Sequence, residues 1–136
     1  MRPGFVADTN VLISFFMSQS SISAKALIKA LDKGDMVFSE ETFQEFSTKI
    51  NGEKFIKYLS SSFIRREIDV IRKNSLFIET KNDFKVCRDR DDNKFLNVAV
   101  EISAFVLITG DKDLLVLEKI KNIPIVTPGT FLRDFK

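Results

Sequence analysis

Short apolar runs alternate with longer segments of helical period along nearly the whole chain. Residues 4–7 form an apolar run ended by Asp8, which predicts a first strand. Residues 10–17 are apolar almost throughout and predict a buried helix. Residues 20–33 place Ile22, Ala26, Leu27, Ala30 and Leu31 at helical spacing, with Gly34 as the stop. Residues 36–38 predict a second strand, and Ser39 is set to cap a helix carrying Phe43 and Phe46. Between 53 and 73, Ile56, Leu59, Phe63, Ile64, Ile68 and Ile71 make an apolar stripe. Lys57, Arg65, Arg66, Asp69 and Arg72 fall on its wet face, and the serines at 60–62 divide it in two. A third strand over 76–78 leads into a charged loop, 79–91. From Asp92, the positions Phe95, Val98, Ala99 and Ile102 recur at i, i+3, i+4 and i+7, which predicts a helix. A fourth strand over 104–108, a helix over 113–120, a fifth strand over 123–127 and a short helix over 130–135 complete the pattern.

Short strands alternating with helices indicate a mostly parallel sheet covered on both faces. The expectation is an α/β fold, a three-layer α/β/α sandwich with about five strands. With 136 residues, no internal repeat and no linker, the chain reads as a single domain over 1–136. Phe occurs 14 times and Trp not at all, so the core is expected to pack Phe, Ile, Leu and Val with few buried polar tips.

Charge adds little by itself. The net value of +2 is too balanced to announce a nucleic-acid binder. The missing residue types say more. Histidine is absent, which excludes histidine general-base triads and histidine-ligated zinc. Cys87 is the sole cysteine, so thiolate zinc sites and an intramolecular disulfide are excluded as well. A lone cysteine fits a cytoplasmic location. No apolar stretch approaches the ~20 residues that span a bilayer, and the N-terminus reads as a strand rather than a signal peptide. Catalysis in such a chain must rest on carboxylates, amines, hydroxyls or a metal.

The carboxylates supply the candidate. Asp8 and Asp111 follow apolar runs, Asp92 sits at a helix entrance, and Glu45 lies on the helix after the second strand. Carboxylates at the ends of parallel strands share one crevice, where ligands of such sheets sit. Each has an ordinary alternative. Asp8, Asp92 and Asp111 could cap helices, and Thr42 to Glu45 matches a capping box if the helix starts at Thr42. Capping accounts for each acid alone but not for their gathering. Converging carboxylates repel unless a cation lies between them, and the natural choice is a hard divalent metal with oxygen ligands. Arg88, Arg90, Lys94 and Lys112 flank the acids and are candidate phosphate contacts, or else solvated counter-charges.

The sequence Asp8-Thr9-Asn10-Val11-Leu12 after an N-terminal strand resembles the opening motif of PIN-domain ribonucleases. Asp91-Asp92-Asn93-Lys94-Phe95-Leu96 looks like the third acidic motif of that family, and Thr109-Gly110-Asp111-Lys112-Asp113 looks like its closing motif. Glu45 takes the place of its mid-chain glutamate. The resemblance covers essentially the whole chain and is nearest to a branch of toxin components of toxin–antitoxin systems. It implies a helix-covered parallel sheet that binds Mg²⁺ or Mn²⁺ and hydrolyses RNA. Asp8, Glu45, Asp92 and Asp111 would be the catalytic acids. Asp8, Asp92 and Asp111, with Asp113 as auxiliary, would hold the metal, and Asn10 and Thr109 would be supporting polar positions. Of the adjacent Asp91 and Asp92 only one is expected to face the crevice, and Asp92 is preferred because it shares a face with Phe95. Asp113, two residues beyond Asp111, is expected to point about 200° away around its helix. Gly110 is expected to allow a tight turn. The partners implied are an RNA substrate, an antitoxin protein and a second copy of the chain, with no membrane.

Three rival readings meet obstacles. A haloacid-dehalogenase-like phosphatase needs a second Asp where this chain has Asn10. A phospho-accepting receiver domain needs an acidic pair after the first strand, where Asp8 stands single. A non-catalytic PIN-like module that only binds RNA or protein has no need to keep four acids.

Overall fold

The computed structural model describes residues 2–81, 85, 87 and 90–135. Its first apolar run is strand β1 (Gly4–Ala7). The carboxylate of Asp8 caps helix α1 (Thr9–Met17), and the Ser21 hydroxyl caps α2 (Ile22–Lys33). Gly34 then leads into β2 (Asp35–Phe38), where the backbone passes close to Pro3. A Cβ at Gly34 would lie 2.3 Å from the Pro3 carbonyl oxygen, so only glycine fits that crossing.

Helix α3 (Glu40–Ile50) starts from a reciprocal cap. Ser39 Oγ accepts the Thr42 N–H, and Thr42 Oγ1 accepts the Ser39 N–H. That fixes the helix start at Ser39 and removes the alternative box over Thr42 to Glu45. The stripe over 53–73 does divide, into α4 (Glu53–Ile56) and α5 (Ser61–Asn74), with Ser60 capping the second. Strand β3 (Leu76–Phe77) follows. A 3-10 turn (Arg90–Asp92) leads into α6 (Asn93–Glu101), and then come β4 (Leu107–Ile108), α7 (Lys112–Leu115), β5 (Lys119–Ile120), β6 (Ile123–Val126) and α8 (Pro128–Asp134).

Three expected elements differ. The helix expected over 113–120 is a single turn, because the chain enters the left-handed region at Glu118 (φ 62°) and reverses. Lys121 (φ 48°) and Asn122 (φ 66°) then form a two-residue hairpin loop with both central residues at positive φ. This adds β5, antiparallel to β6, so the sheet has six strands rather than five. Regular pairing in the fourth strand is confined to Leu107–Ile108. The Phe105 N–H still reaches the Gly4 carbonyl, and the Val6 N–H reaches that of Val106. The last helix begins at Pro128, two residues early, because Thr127 caps it and proline suits the first helical turn.

The strand order is β3-β2-β1-β4-β6-β5, parallel except for β5. The chain winds outward from β1 to β2 and β3, then returns to place β4 on the other side of β1. This reversal leaves a crevice at the carboxyl ends of β1 and β4. Their register, Val6 opposite Leu107 and Ala7 opposite Ile108, brings the next residues, Asp8 and Thr109, side by side.

Alternation along the strands divides the core into two layers. Phe5, Ala7, Met36, Phe38, Val106 and Ile108 face one layer, filled by Phe16, Leu27, Phe43, Phe46 and Phe131 from α1, α2, α3 and α8. Val6, Val37, Leu107 and Ile125 face the other, filled by Leu96, Val98, Ala99 and Leu114 from α6 and α7. Each fully buried Phe or Leu contributes about 1.5–3 kcal/mol. The result is the expected α/β/α sandwich. Its last wall is clasped in place: the Lys29 ammonium on α2 donates to the carbonyls of Phe131 and Leu132, each at 3.1 Å, and to that of Phe135. The same ammonium lies 5.2 Å from the Phe131 ring centre. No single helix among the described residues is long and apolar enough to cross a membrane.

Candidate active site

At the β1/β4 crevice lies a cavity of about 210 Å³, lined by Asp8, Thr9, Asn10, Glu45, Lys49, Asp91, Asp92, Phe95 and Asp111. Four separate elements deliver the acids. Asp8 comes from the end of β1, Glu45 from the middle of α3, Asp92 from the turn before α6, and Asp111 from the cap of α7.

Asp8 is the floor of the site and is buried. Its Oδ1 accepts the Val11 N–H at 2.9 Å, and its Oδ2 accepts the hydroxyl of Thr109. Thr109, fully buried, also accepts the Asp111 N–H at 2.9 Å. One hydroxyl thus links the Asp8 carboxylate to the Asp111 backbone. Burial pushes the Asp8 carboxyl above its ordinary range. The Thr109 and Val11 hydrogen bonds oppose that, the charge of Asp111 adds to it, and the Gly110 N–H opposes it again. Ionising Asp8 therefore costs the folded chain free energy, which a cation in the cavity would offset.

Asp111 Oδ1 accepts the Asp113 N–H at 2.8 Å and so caps α7. Asp92 is buried at the end of its turn. Asp92, Asp111 and Asp113 each offer one carboxylate oxygen, and these oxygens lie within 4.8 Å of one another. Oxygens around an octahedral Mg²⁺, about 2.1 Å from it, are separated by roughly 3–4.2 Å. A small closure would complete that spacing, so an all-oxygen donor set for a hard divalent cation fits here.

This geometry corrects three expectations. Asp113 does not point away from Asp111, because Asp111 precedes the helix as its cap and the two do not share a helical wheel. Gly110 makes no left-handed turn, and a Cβ there would meet no atom within 4 Å. Asp91 and Asp92 both line the cavity, Asp91 exposed and Asp92 buried, because a 3-10 turn rather than an α-helix carries them.

The other side of the cavity is arranged differently. Glu45 Oε2 accepts the Thr9 hydroxyl, and Oε1 lies 2.8 Å from the ammonium of Lys94. The Lys94 side chain is only 11% exposed and that of Glu45 32%. Lys49 donates to Asn10 Oδ1 at 2.7 Å. Lys94, expected as a phosphate contact, is thus found on Glu45. Arg90 is exposed in the turn and Lys112 opens α7, and neither lines the cavity. Arg88 lies outside the described residues. Thr9 and Lys49 line the cavity without being marked as site residues by any motif of the sequence. Lys49 carried a usable signal, being one helical turn from Glu45 and so on its face.

A match to the PIN domain family spans residues 5–113, from β1 to the last of these acids. The uncharacterized protein MJ1680 of Methanocaldococcus jannaschii is 36% identical over 148 aligned residues, which take in 96% of this chain and 90% of that relative.

Proposed function

The chain belongs to the PIN-domain family, to which nuclease activity generally attaches, and on that premise we propose that it is a divalent-metal-dependent endoribonuclease. The observation that carries this reading is the set of three carboxylates, Asp92, Asp111 and Asp113, with oxygens within 4.8 Å of one another, two of which line a cavity with the buried Asp8. Mg²⁺ or Mn²⁺ is the cofactor that such oxygen ligands suit. A bound ion supplies electrostatic stabilisation of the phosphodiester and lowers the pKa of the attacking water.

The chain's own residues do the rest. Thr109 holds Asp8 and the Asp111 backbone in fixed relation, so that the carboxylates are in place before substrate arrives. Glu45, on the cavity wall, completes the catalytic acids and can orient water through an oxygen lone pair. Lys49 on the same wall, together with Arg90 and Lys112 on flanking elements, offers cationic charge to the RNA backbone.

Within this reading the protein is the toxin of a toxin–antitoxin pair in the cytoplasm, with an antitoxin and a second copy of the chain as its protein partners. The form of the motif around Asp91 to Leu96 supports that assignment. Incubation of purified protein with mixed RNA, with Mg²⁺, with Mn²⁺ and with excess chelator, is the test. Cleavage is expected only with metal, and full cleavage in chelator would overturn the reading. For the toxin role, induced expression should arrest growth, the Asp111→Asn variant should not, and a neighbour-encoded protein should relieve the arrest.

A further inference from the structure

The two sides of the cavity hold their acids in different company. Both oxygens of Glu45 are committed, one to the Thr9 hydroxyl and one to the Lys94 ammonium at 2.8 Å. Lys94 itself is nearly sealed from water, at 11% exposure, with its ammonium 5.7 Å from the centre of the buried Phe95 ring. Holding an ammonium in so enclosed a place is costly unless a carboxylate answers it. The pair is therefore a built feature of the site and differs from a surface contact between long side chains, such as Arg133 with Asp134. The carboxylates of Asp92, Asp111 and Asp113 each bring one oxygen within 4.8 Å of the others.

We propose that Lys94 is a positioning residue that occupies, as a permanent protein cation, the place beside Glu45 where a second metal would otherwise bind, so that the site takes one divalent ion. The inference rests on the nuclease reading above and deepens it by setting the metal count. Its physical basis is charge matching. A carboxylate already neutralised at 2.8 Å by an ammonium has little attraction left for a dication, and a dication placed there would face the repulsion of Lys94. One ion held by Asp92, Asp111 and Asp113 leaves Glu45 fixed in orientation on the opposite wall.

The test counts Mn²⁺ bound per chain by equilibrium dialysis, with electron paramagnetic resonance reporting coupling between paired ions. Wild type is expected to bind one uncoupled ion. Lys94→Gln frees Glu45 and is expected to bind two, with spin coupling. Lys94→Arg keeps the charge and should remain at one. Adding Glu45→Gln to Lys94→Gln should return the count to one. Two coupled ions in wild type would overturn the inference while leaving the nuclease reading intact, and that measurement needs no variant to fold. A count of one in Lys94→Gln, with unchanged circular dichroism, would overturn it too. No Mn²⁺ bound by wild type would overturn this inference and the metal-dependent reading together, whereas one ion without RNA cleavage would uphold the count and defeat only the nuclease assignment.

Discussion

One wall of the cavity gathers like charges and the other pairs unlike ones. On the aspartate wall, Asp92, Asp111 and Asp113 each bring an oxygen within 4.8 Å of the others, Thr109 links the Asp8 carboxylate to the Asp111 backbone, and burial holds the Asp8 carboxyl above its ordinary range. On the glutamate wall, Lys94 answers Glu45 and Lys49 answers Asn10. The difference teaches that a cluster of acids is not uniformly a demand for metal. The demand is local: at Glu45 an ammonium of the chain answers the carboxylate, whereas at Asp8 burial and the charge of Asp111 raise the cost of ionising it.

The sharpest way to break this contrast is to neutralise the aspartate wall. Asp111→Asn and Asp92→Asn are expected to lower metal-dependent RNA cleavage by about two to three orders of magnitude, the scale of several kcal/mol of lost charge stabilisation. Asp113→Asn should fall with them, by roughly tenfold or more. Single-turnover cleavage at saturating Mg²⁺ checks both, and an Asp113 variant as active as wild type would remove that residue from the ligand set.

Stability should move in opposite directions on the two walls. Glu45→Gln leaves the enclosed Lys94 ammonium without its counter-charge and is expected to cost about 1–3 kcal/mol, discounted from a fully buried pair because Glu45 is a third exposed. Asp8→Asn, measured without metal, is expected to raise the melting temperature at neutral pH. A carboxyl raised in the folded state contributes stability below its ordinary pKa, and that contribution is lost as pH rises through the raised value. The gain from Asn should therefore shrink as pH falls toward the ordinary aspartate range. Added Mn²⁺ should stabilise wild type more than this variant. A melting curve for Asp8→Asn below that of wild type at pH 7 would show that the hydrogen bonds to Val11 and Thr109 outweigh the cost of burial.

The smallest effect is expected from a charge pair outside the cavity. Arg72 forks onto Glu40 at 2.9 and 3.3 Å on the surface, and the Arg72 hydrogen bond holds Glu40 below its ordinary range. A lowered carboxyl contributes stability above its ordinary pKa and loses it as pH falls through the lowered value. Glu40→Gln should thus lower the melting temperature slightly near neutrality and not at all in strong acid, with added salt erasing the difference. A loss as large as that of Glu45→Gln would mean that enclosure is not what separates the two pairs.

Much of this was legible in the sequence. The strand and helix order followed from apolar runs and from serine or aspartate caps, and Asp8, Glu45, Asp92 and Asp111 do line one cavity. The order is readable because strands must bury alternate residues and helices must satisfy their first N–H groups nearby. What was not legible depends on partners distant in the chain. Lys94 and Glu45 meet only because α6 and α3 close on the same crevice, and no spacing encodes that. The β5–β6 hairpin escaped because residues 113–120 are apolar enough for a helix, and left-handed residues at Glu118, Lys121 and Asn122 turn the chain back.

The clasp between Lys29 and α8 has a consequence for the order in which this molecule can be assembled during synthesis. Phe131 is fully buried in the layer that also holds Phe5 and Leu27, yet it comes more than a hundred residues after both. While the ribosome has yet to deliver α8, the nascent chain has one side of that layer open and the Lys29 ammonium facing no carbonyls. Elements that fold as units during translation cannot close this one until its last described helix emerges. A chain stalled before Pro128 would then carry all its acids and still lack the helix that closes the layer holding Phe5 and Leu27.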